Sequence, residues 1–564
     1  MTSSDMMLHP GLLLIAGGIL LAFVRGSARS ALAVLVPAIA LFFVWQVGDG
    51  IFGRVGFLDY QLEFVRGDRL ARVFATIFTL MALVGGVFAL KQESRIEVPA
   101  AFVYAGSAVG AVFAGDLVTL FLFWELMAVG STLVIWAGGA SARAASMRYL
   151  MVHLFGGVIL MAGITGHVAS GGGLAFEAMK ADSLSHWLIL IGFLINAGAP
   201  PFSAWLPDAY PEASWSGTVF LSAFTTKTAV YVLLRGFPGT EILIPIGLYM
   251  VFYGIVYAIL ENDMRRILAY SIINQVGFMV TGIGIGTEMA LNGAAAHAFA
   301  HIIYKALLLM SAGAVLYRTG KRKCTDLGGL FQSMPLTTIC GTIGALAISA
   351  FPLTSGFTTK SMISQSAANE HMMFVWLLLA AASAGVFLHA GIKFPWFVFF
   401  QKDSGMRPKD PPASMGWAMI VFSAFCIGLG CYPDPLYAIL PYPVDYHPYT
   451  GAHVVSQLQL LLFSGLAFFL LLNYLKRTLT ITLDLDWFYR VLGPGVALGL
   501  AEGVASGLAA FGRGAVDVFG SIRTVIFRHY GPSGVLARTW LSGQMVLWVA
   551  ILLLMYLVLF YVPD

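Results

Sequence analysis

Between Gly293 and Ala314 the chain reads GAAAHAFAHIIYKALLLMSAGA, an apolar run of spanning length that carries His297, His301 and Lys305 at four-residue intervals. A helix turns once per 3.6 residues, so the three side chains share one stripe. Two imidazoles and an ammonium at bilayer depth cost several kcal/mol unless they face protein or water. Two readings follow. The stripe is either a polar seam that joins the helix to its neighbours, or a relay whose neutral imidazoles take and hand on protons.

The rest of the chain supplies those neighbours. Of its 564 residues 59% are hydrophobic and 11% charged, which successive spans of ~20 residues explain and a soluble domain does not. About sixteen apolar runs reach spanning length. They lie near 11–24, 30–46, 70–90, 97–114, 116–138, 149–169, 186–206, 215–235, 241–260, 265–286, 289–317, 335–363, 372–400, 414–431, 454–475 and 541–561. Arg25 and Arg29 follow the first with no small-residue cleavage site, so it reads as a retained helix. The predicted fold class is an all-α polytopic membrane protein embedded in lipid. A net charge of +4, spread over short loops, argues against nucleic-acid partners. Cys324, Cys340, Cys426 and Cys431 lack zinc or haem spacing and read as unpaired core residues, and the 23 methionines read as core filler, so no metal site or cofactor is expected.

Lysine and arginine orient the runs. They follow odd-numbered runs at Arg25/Arg29, Lys91/Arg95, Arg143/Arg148, Arg265/Arg266, Arg318 to Lys323, Lys402/Arg407/Lys409 and Lys476/Arg477. The loops after the fourth, tenth, twelfth and fourteenth runs carry none. Odd loops are therefore expected in the cytoplasm and both chain ends outside. The second loop dissents with Arg54, Arg66, Arg69 and Arg72, but Asp59, Glu63 and Asp68 make it a mixed-charge extramembrane segment. Between 478 and 540, Asp484, Asp486 and Arg490 flank the aromatic cluster of LDLDWFYR, and a Gly/Ala/Val-rich stretch follows from about Pro494 to Arg528. It reads as a helix along the cytoplasmic face, ~50 Å long, resting on a neighbouring subunit or on this chain's own flank. The competing arrangement is a hairpin of two short spans.

Further charges fall inside runs. Glu125 is mid-span in FLFWELMAVG, and Lys227 lies within FLSAFTTKTAVYVLL. A buried amine of this kind can gain and lose a proton as nearby charges shift. Lys360 follows a break at Pro352 and Gly356, and a similar interruption runs from Asn196 to Pro201. Broken helices free backbone carbonyls and are tolerated where they line a wet cavity. Any one of these charges could be a paired or snorkelling residue; Glu125, Lys227, His301, Lys305 and Lys360 together point to a path. His153, His389 and Lys393 could extend it, although Lys393 is expected to snorkel to the cytoplasmic edge. Asp116 reads as a helix N-cap, and Arg235 as a headgroup contact.

In chain order, FWELM, PPFSAWLPDAY, TKTAVYVLLR, DMRRILAYSIINQVGF, HAFAHIIYKALLLMSAG and SGFTTKSMI resemble the antiporter-like proton-channel subunits of respiratory complex I, membrane-bound hydrogenases and Mrp-type cation/proton antiporters. The resemblance covers roughly 70–400; RYLMVHLFGG and GIKFPWFVFFQKD look most like the D-type subunit of the Mrp antiporters, and the tail is similar to that of the largest complex I subunit of this class. It implies fourteen core helices with two inverted five-helix repeats, broken helices seven and twelve, a lateral helix and extra spans. The implied divisions are 1–96 (N-terminal helices), 97–430 (channel core), 431–477 (last core spans and outer loop), 478–540 (lateral helix) and 541–564 (terminal span). Glu125, Lys227, His297, His301, Lys305 and Lys360 match the family's proton-path positions. One departs: the lysine usual five residues before the proline of P-F-x-x-W-L-P is Asn196 here, leaving Glu125 without its usual cationic partner.

The function implied is that of a proton-translocating subunit in a multisubunit monovalent cation (Na+)/H+ antiporter of the inner (plasma) membrane, working with other subunits. One alternative keeps the fold but places it in a redox complex whose partners hold the chemistry, since no iron–sulfur, flavin or dinucleotide motif occurs here. Another, supported by Asn196, is a structural subunit that only seals and scaffolds.

Overall fold

Helix ends in this chain are set by short polar caps and glycine stops, and the computed structural model shows them for residues 8–473 and 484–561. It divides into two units, Met1–Asp486 and Trp487–Asp564, described separately below.

The first unit opens with α1 (Pro10–Phe23) and α2 (Gly26–Val44), then strands β1 (Gly50–Phe57) and β2 (Tyr60–Gly67). Next come α3 (Arg69–Phe88), α4 (Glu97–Phe113), α5 (Leu117–Trp136), α6 (Ala142–Ala169), α7 (Leu184–Ala197), α8 (Trp205–Ala209), α9 (Gly217–Leu221) and α10 (Thr225–Gly236). The centre is formed by α11 (Leu243–Leu260), α12 (Met264–Ile285), α13 (Glu288–Thr319), α14 (Pro335–Ile348) and α15 (Ser355–Asn369). It closes with α16 (Met373–Val386), α17 (Ala413–Cys431), α18 (Asp434–Tyr437) and α19 (Gly451–Leu470). The second unit holds α20 (Gly493–Tyr530) and α21 (Ser542–Tyr561).

Among the described residues thirteen helical stretches are long and apolar enough to cross a membrane. The difference from about sixteen has a simple origin. Pro10–Phe23, Glu97–Phe113, Leu184–Ala197 and Pro335–Ile348 stop short of spanning length, whereas Phe488–Tyr530 reaches it. The last stretch is one unbroken rod, about 57 Å over the 38 residues of α20 at 1.5 Å each, which excludes a hairpin of two short spans. Residues 478–483 of the expected lateral segment, with Lys476 and Arg477, lie outside the described residues.

Two sequence expectations need correction, while the all-helical polytopic class stands with one small antiparallel hairpin added in the second loop, where Phe57 pairs with Tyr60 around Leu58 and Asp59. Leu62 and Val65 point inward from β2, and Asp116, besides capping α5 as expected, accepts from the Glu63 amide at 2.7 Å. Arg235 is engaged inside the protein: its side chain is buried, bound to Asp68 at 2.6 Å and to the Tyr231 hydroxyl at 2.8 Å. Lys393 does not snorkel. It is buried and donates to the carbonyls of Ala258, Ile259 and Glu261 at 3.2, 2.5 and 2.5 Å, capping the C-terminal end of α11.

Arg265, counted with the loop charges, is also buried. It clamps the connection between α8 and α9 by donating to Pro211, Ala213 and Ser214 carbonyls at 2.7, 2.8 and 2.7 Å. Asp484 is likewise buried, accepting from the Tyr253 hydroxyl at 2.5 Å and from that of Tyr270. Burial pushes its carboxyl above the usual range.

Backbone approach sets the position of α12, the helix on which the site depends. Gly247 of α11 and Gly277 of α12 face each other so closely that a Cβ on Gly277 would lie 2.6 Å from the Gly247 carbonyl oxygen. Lipid offers apolar side chains no hydrophobic drive to associate, so such small-residue contacts carry much of the packing. Gly277→Leu is expected to lower the thermal midpoint of the purified protein by several degrees and to reduce its abundance in membranes. Gly428→Leu, where no atom lies within 4 Å of an added Cβ, should leave both near wild type; immunoblots and a detergent melting curve compare the pair.

Candidate functional site

The stripe on α13 is wholly buried, and neutral polar groups of α12 and α15 meet it. His297 places Nε2 3.0 Å from Gln275 Oε1 and Nδ1 3.3 Å from Thr359 Oγ1. Tyr304 donates to the same Gln275 oxygen at 3.2 Å and lies 3.3 Å from His297 Nε2. Lys305 donates to Ser271 Oγ at 2.9 Å, with the Leu268 carbonyl at 3.5 Å. His301 stands between them with neither ring nitrogen hydrogen-bonded, its ring 6.3 Å from that of His297 and 5.2 Å from that of Tyr304.

Three helices are broken, and the second and third breaks supply the ends of this row. The first lies after α7, where Gly198 turns left-handed at φ 79° and the Pro200–Pro201 bond is cis. Trp205 donates to the Ile195 carbonyl at 2.9 Å, which also accepts from the Gly198 amide at 3.1 Å, so the side chain ties the break to the end of α7. The second separates α14 from α15: Ala350 and Leu353 take φ 57° and 69°, an uncommon region for residues with a Cβ. Pro352 lies between them, and Gly356 lets the Ala347 carbonyl sit where a Cβ would be. The third was not legible as a break, because Ser222, Ala223 and Phe224 between α9 and α10 include neither proline nor glycine. It matters, since Lys227 donates to the freed Ser222 carbonyl at 2.6 Å and to Thr226 Oγ1 at 3.0 Å.

Lys360 sits 4.1 Å above the Phe278 ring, buried, with no hydrogen-bond partner among the described residues. It lines a cavity of about 260 Å³ together with Ser361, Ser364, Gln365, His453 and Gln457. Lys227 lies within electrostatic reach of Lys305 and both imidazoles, His301 within reach of Lys305 and His297, and Lys360 within reach of His297 and His389. His389, on the π-helical stretch Phe387–Lys393 that continues α16, holds the Gly385 carbonyl at 2.8 Å.

The amino-terminal half is different. Glu125 is half-buried, with no cation within 4 Å among the described residues; its Oε1 is unpartnered and occupies the space above Gly157 that a methyl would fill. Asn196 is fully buried with both amide atoms unpartnered among the described residues. His153 stacks on Tyr149 at 3.9 Å and meets Trp205 edge-on at 4.6 Å, so it belongs to the aromatic packing of the first break, separate from the α13 row.

Sequence reading named the ionisable members and missed the neutral ones. Gln275, Ser271 and Thr359 are what hold His297 and Lys305, and nothing in an apolar helical run marks one amide or hydroxyl as a ligand for a neighbour. No group of three metal-ligating side chains forms among the described residues. Chemically, the row is an alternation of amines, imidazoles, hydroxyls and one carboxamide, which is able to hold and pass protons and holds no nucleophile–base constellation.

The family model described as "NADH:quinone oxidoreductase/Mrp antiporter, TM" matches residues 114–386. The probable K(+)/H(+) antiporter A/B-type subunit of Rhizobium meliloti is 28% identical over 461 residues, 74% of this chain; the chain spans 46% of that protein's length. The Na(+)/H(+) antiporter D-type subunit of Alkalihalophilus pseudofirmus is 29% identical over 399 residues, 65% of this chain and 81% of that protein. Among solved structures, a chain of the membrane-bound sulfane sulfur reductase, an archaeal respiratory membrane complex, shares the fold at TM-score 0.71 and 24% identity, covering 97% of this chain and 99% of that one.

The cavity gives a direct test of the geometry. In a background with the four cysteines replaced by serine, Lys360→Cys and Ser364→Cys are expected to react with a charged, membrane-impermeant thiosulfonate. Lys305→Cys, enclosed on every side, should stay unlabelled. Mass spectrometry of the intact protein reads each outcome, and equal labelling of all three would disprove the enclosure.

Proposed function

We infer the function from the premise that this chain belongs to the Mrp antiporter/complex I antiporter-like membrane-subunit family. It is an integral multi-pass membrane protein. We propose that it is the proton-translocating subunit of a multisubunit monovalent cation/proton antiporter in the cell inner (plasma) membrane, with sodium the leading cation. Its path runs from Lys227 and Lys305 through His301 and His297 to Lys360, with Glu125 as a gating charge ahead of it. The observation that carries this reading is the buried row itself: titratable side chains of α10, α13 and α15, with hydroxyl and amide groups holding Lys227, His297 and Lys305, run between two helix breaks.

Coupling along the row is electrostatic. Two unit charges 10 Å apart interact by about 1.7 kcal/mol at an effective dielectric of 20, more than a tenfold change in proton affinity. Protonating one site therefore lowers the affinity of the next, and charge moves along the row while the protein holds its dipoles still. The fourteen-helix core with two inverted repeats centred on the broken stretches, and α20 as a lateral helix on the cytoplasmic side, complete the proposed architecture.

A second reading, a subunit that only seals and scaffolds its complex, draws on Asn196 and the unpaired Glu125. Everted vesicles from an antiporter-deficient host, carrying the full set of partner subunits, separate the two. A fluorescent ΔpH indicator read against sodium, potassium and lithium is expected to show Lys305→Ala and Lys360→Ala abolishing cation-dependent proton flux at normal membrane abundance. Wild-type flux in both variants would defeat the path. Asn196→Lys should change flux if the amino-terminal half takes part, and leave it untouched in a scaffold.

A further inference from the structure

The cavity beside Lys360 contains a second titratable nitrogen that the row above does not use. His453 lies in the first turn of α19, just after its Thr450 cap, and its ring stacks on Phe357 at 4.4 Å and 14°. Phe357 is one turn before Lys360 on α15, so the stack fixes the imidazole to the same helix that carries the lysine. Its Nδ1 lies 2.7 Å from the Pro448 carbonyl oxygen. A carbonyl only accepts, so Nδ1 holds the proton and Nε2 is left as a lone-pair acceptor. No described residue occupies that acceptor.

The charge census around it is short. The cavity lining carries the Lys360 ammonium, the His453 imidazole and the Tyr446 phenol, and no carboxylate. Tyr449, which also packs on Phe357, donates its hydroxyl to the Gly430 carbonyl at 2.5 Å, and Tyr437 donates to the Thr358 carbonyl at 2.6 Å. A phenol ordinarily titrates near pH 10 and an imidazole near 6.5. Beside Lys360, the His453 imidazole is therefore a stronger base than the phenol in the cavity lining.

We propose that His453 is the proton acceptor between Lys360 and the aqueous face bearing the 432–450 loop. A Lys360 N–H bond breaks, the proton crosses the cavity through water, and an N–H bond forms at His453 Nε2. The imidazolium then releases that proton to solvent from the same nitrogen and returns to its starting tautomer, while Lys360 is reprotonated from the row behind it. This rests on the path proposed above.

The test uses proteoliposomes of the assembled complex with Lys360→Ala run alongside. His453→Phe keeps the ring against Phe357 and removes the base; it is expected to cut proton flux about tenfold or more, within the usual range for losing a general acid–base group. Gln457 is one helical turn further along α19 and lines the same cavity, so adding Gln457→His to His453→Phe should restore much of the flux and its pH profile. A merely structural role for His453 would not be rescued by a base moved to the next turn. Flux within twofold of wild type in His453→Phe, or a loss that Gln457→His does not repair, overturns this assignment while a dead Lys360→Ala upholds the path. Normal flux in Lys360→Ala overturns both.

Discussion

Holding ionisable nitrogens in a medium that solvates them poorly is the constraint from which the rest of this structure follows. Lys227, Lys305 and Lys360 have no carboxylate partner among the described residues, and each is dealt with differently. Lys227 leans on a carbonyl released by a broken helix, Lys305 on a serine hydroxyl, and Lys360 on an aromatic face and a cavity. An ion pair would trap each charge in place by several kcal/mol. Fixed neutral dipoles tolerate the charge without requiring it, so both protonation states remain accessible at modest energetic cost.

The scaffold reads as a consequence of that requirement. Carbonyls and hydroxyls must point at the amines from helices that do not move, which is where the close backbone contacts of α11 and α12 enter. Gly247 and Gly277 bring α12 against its neighbour, while Lys393 caps the end of α11 and Asp484 ties Tyr253 and Tyr270 together across the same pair. Ser271 and Gln275, the residues that touch Lys305 and His297, sit on the helix so fixed. Arg265 performs the matching task next to the first break, gripping three carbonyls between α8 and α9.

Spacing alone was enough to place His297, His301 and Lys305 on one stripe, and Pro352 with Gly356 or Pro201 was enough to mark two breaks. Those signals are local: a period or a missing donor can be read from neighbouring letters. The fates of Lys393 and Arg235 were not local. Both stand near helix ends, where lipid headgroups and a neighbouring helix's carbonyls are equally good destinations for a cation, and only the packing of α11 and the hairpin loop decides between them. The β-hairpin escaped for a related reason, since its buried apolar side chains, Leu62 and Val65, are three apart and show no strand alternation in the sequence. At Ser222 to Phe224 the helix is interrupted amid hydroxyl-bearing residues that compete for backbone hydrogen bonds, a weaker mark than proline.

The two halves of the molecule are electrostatically unequal, and that inequality bears on direction. In the carboxyl-terminal half every step has a titratable group within electrostatic reach, from Lys305 through His301 and His297 to Lys360. Ahead of Lys227 the chain offers Glu125 with no cation within 4 Å among the described residues and Asn196 with an amide that cannot change charge. A charge displaced along the proposed row therefore meets a responsive neighbour on one side and a fixed dipole on the other. Glu125 can still gain or lose its own proton. Any partner that sets a cation beside Glu125 would supply what Asn196 withholds, so the amino-terminal half of this chain is the place where an assembled complex has the most leverage over the row.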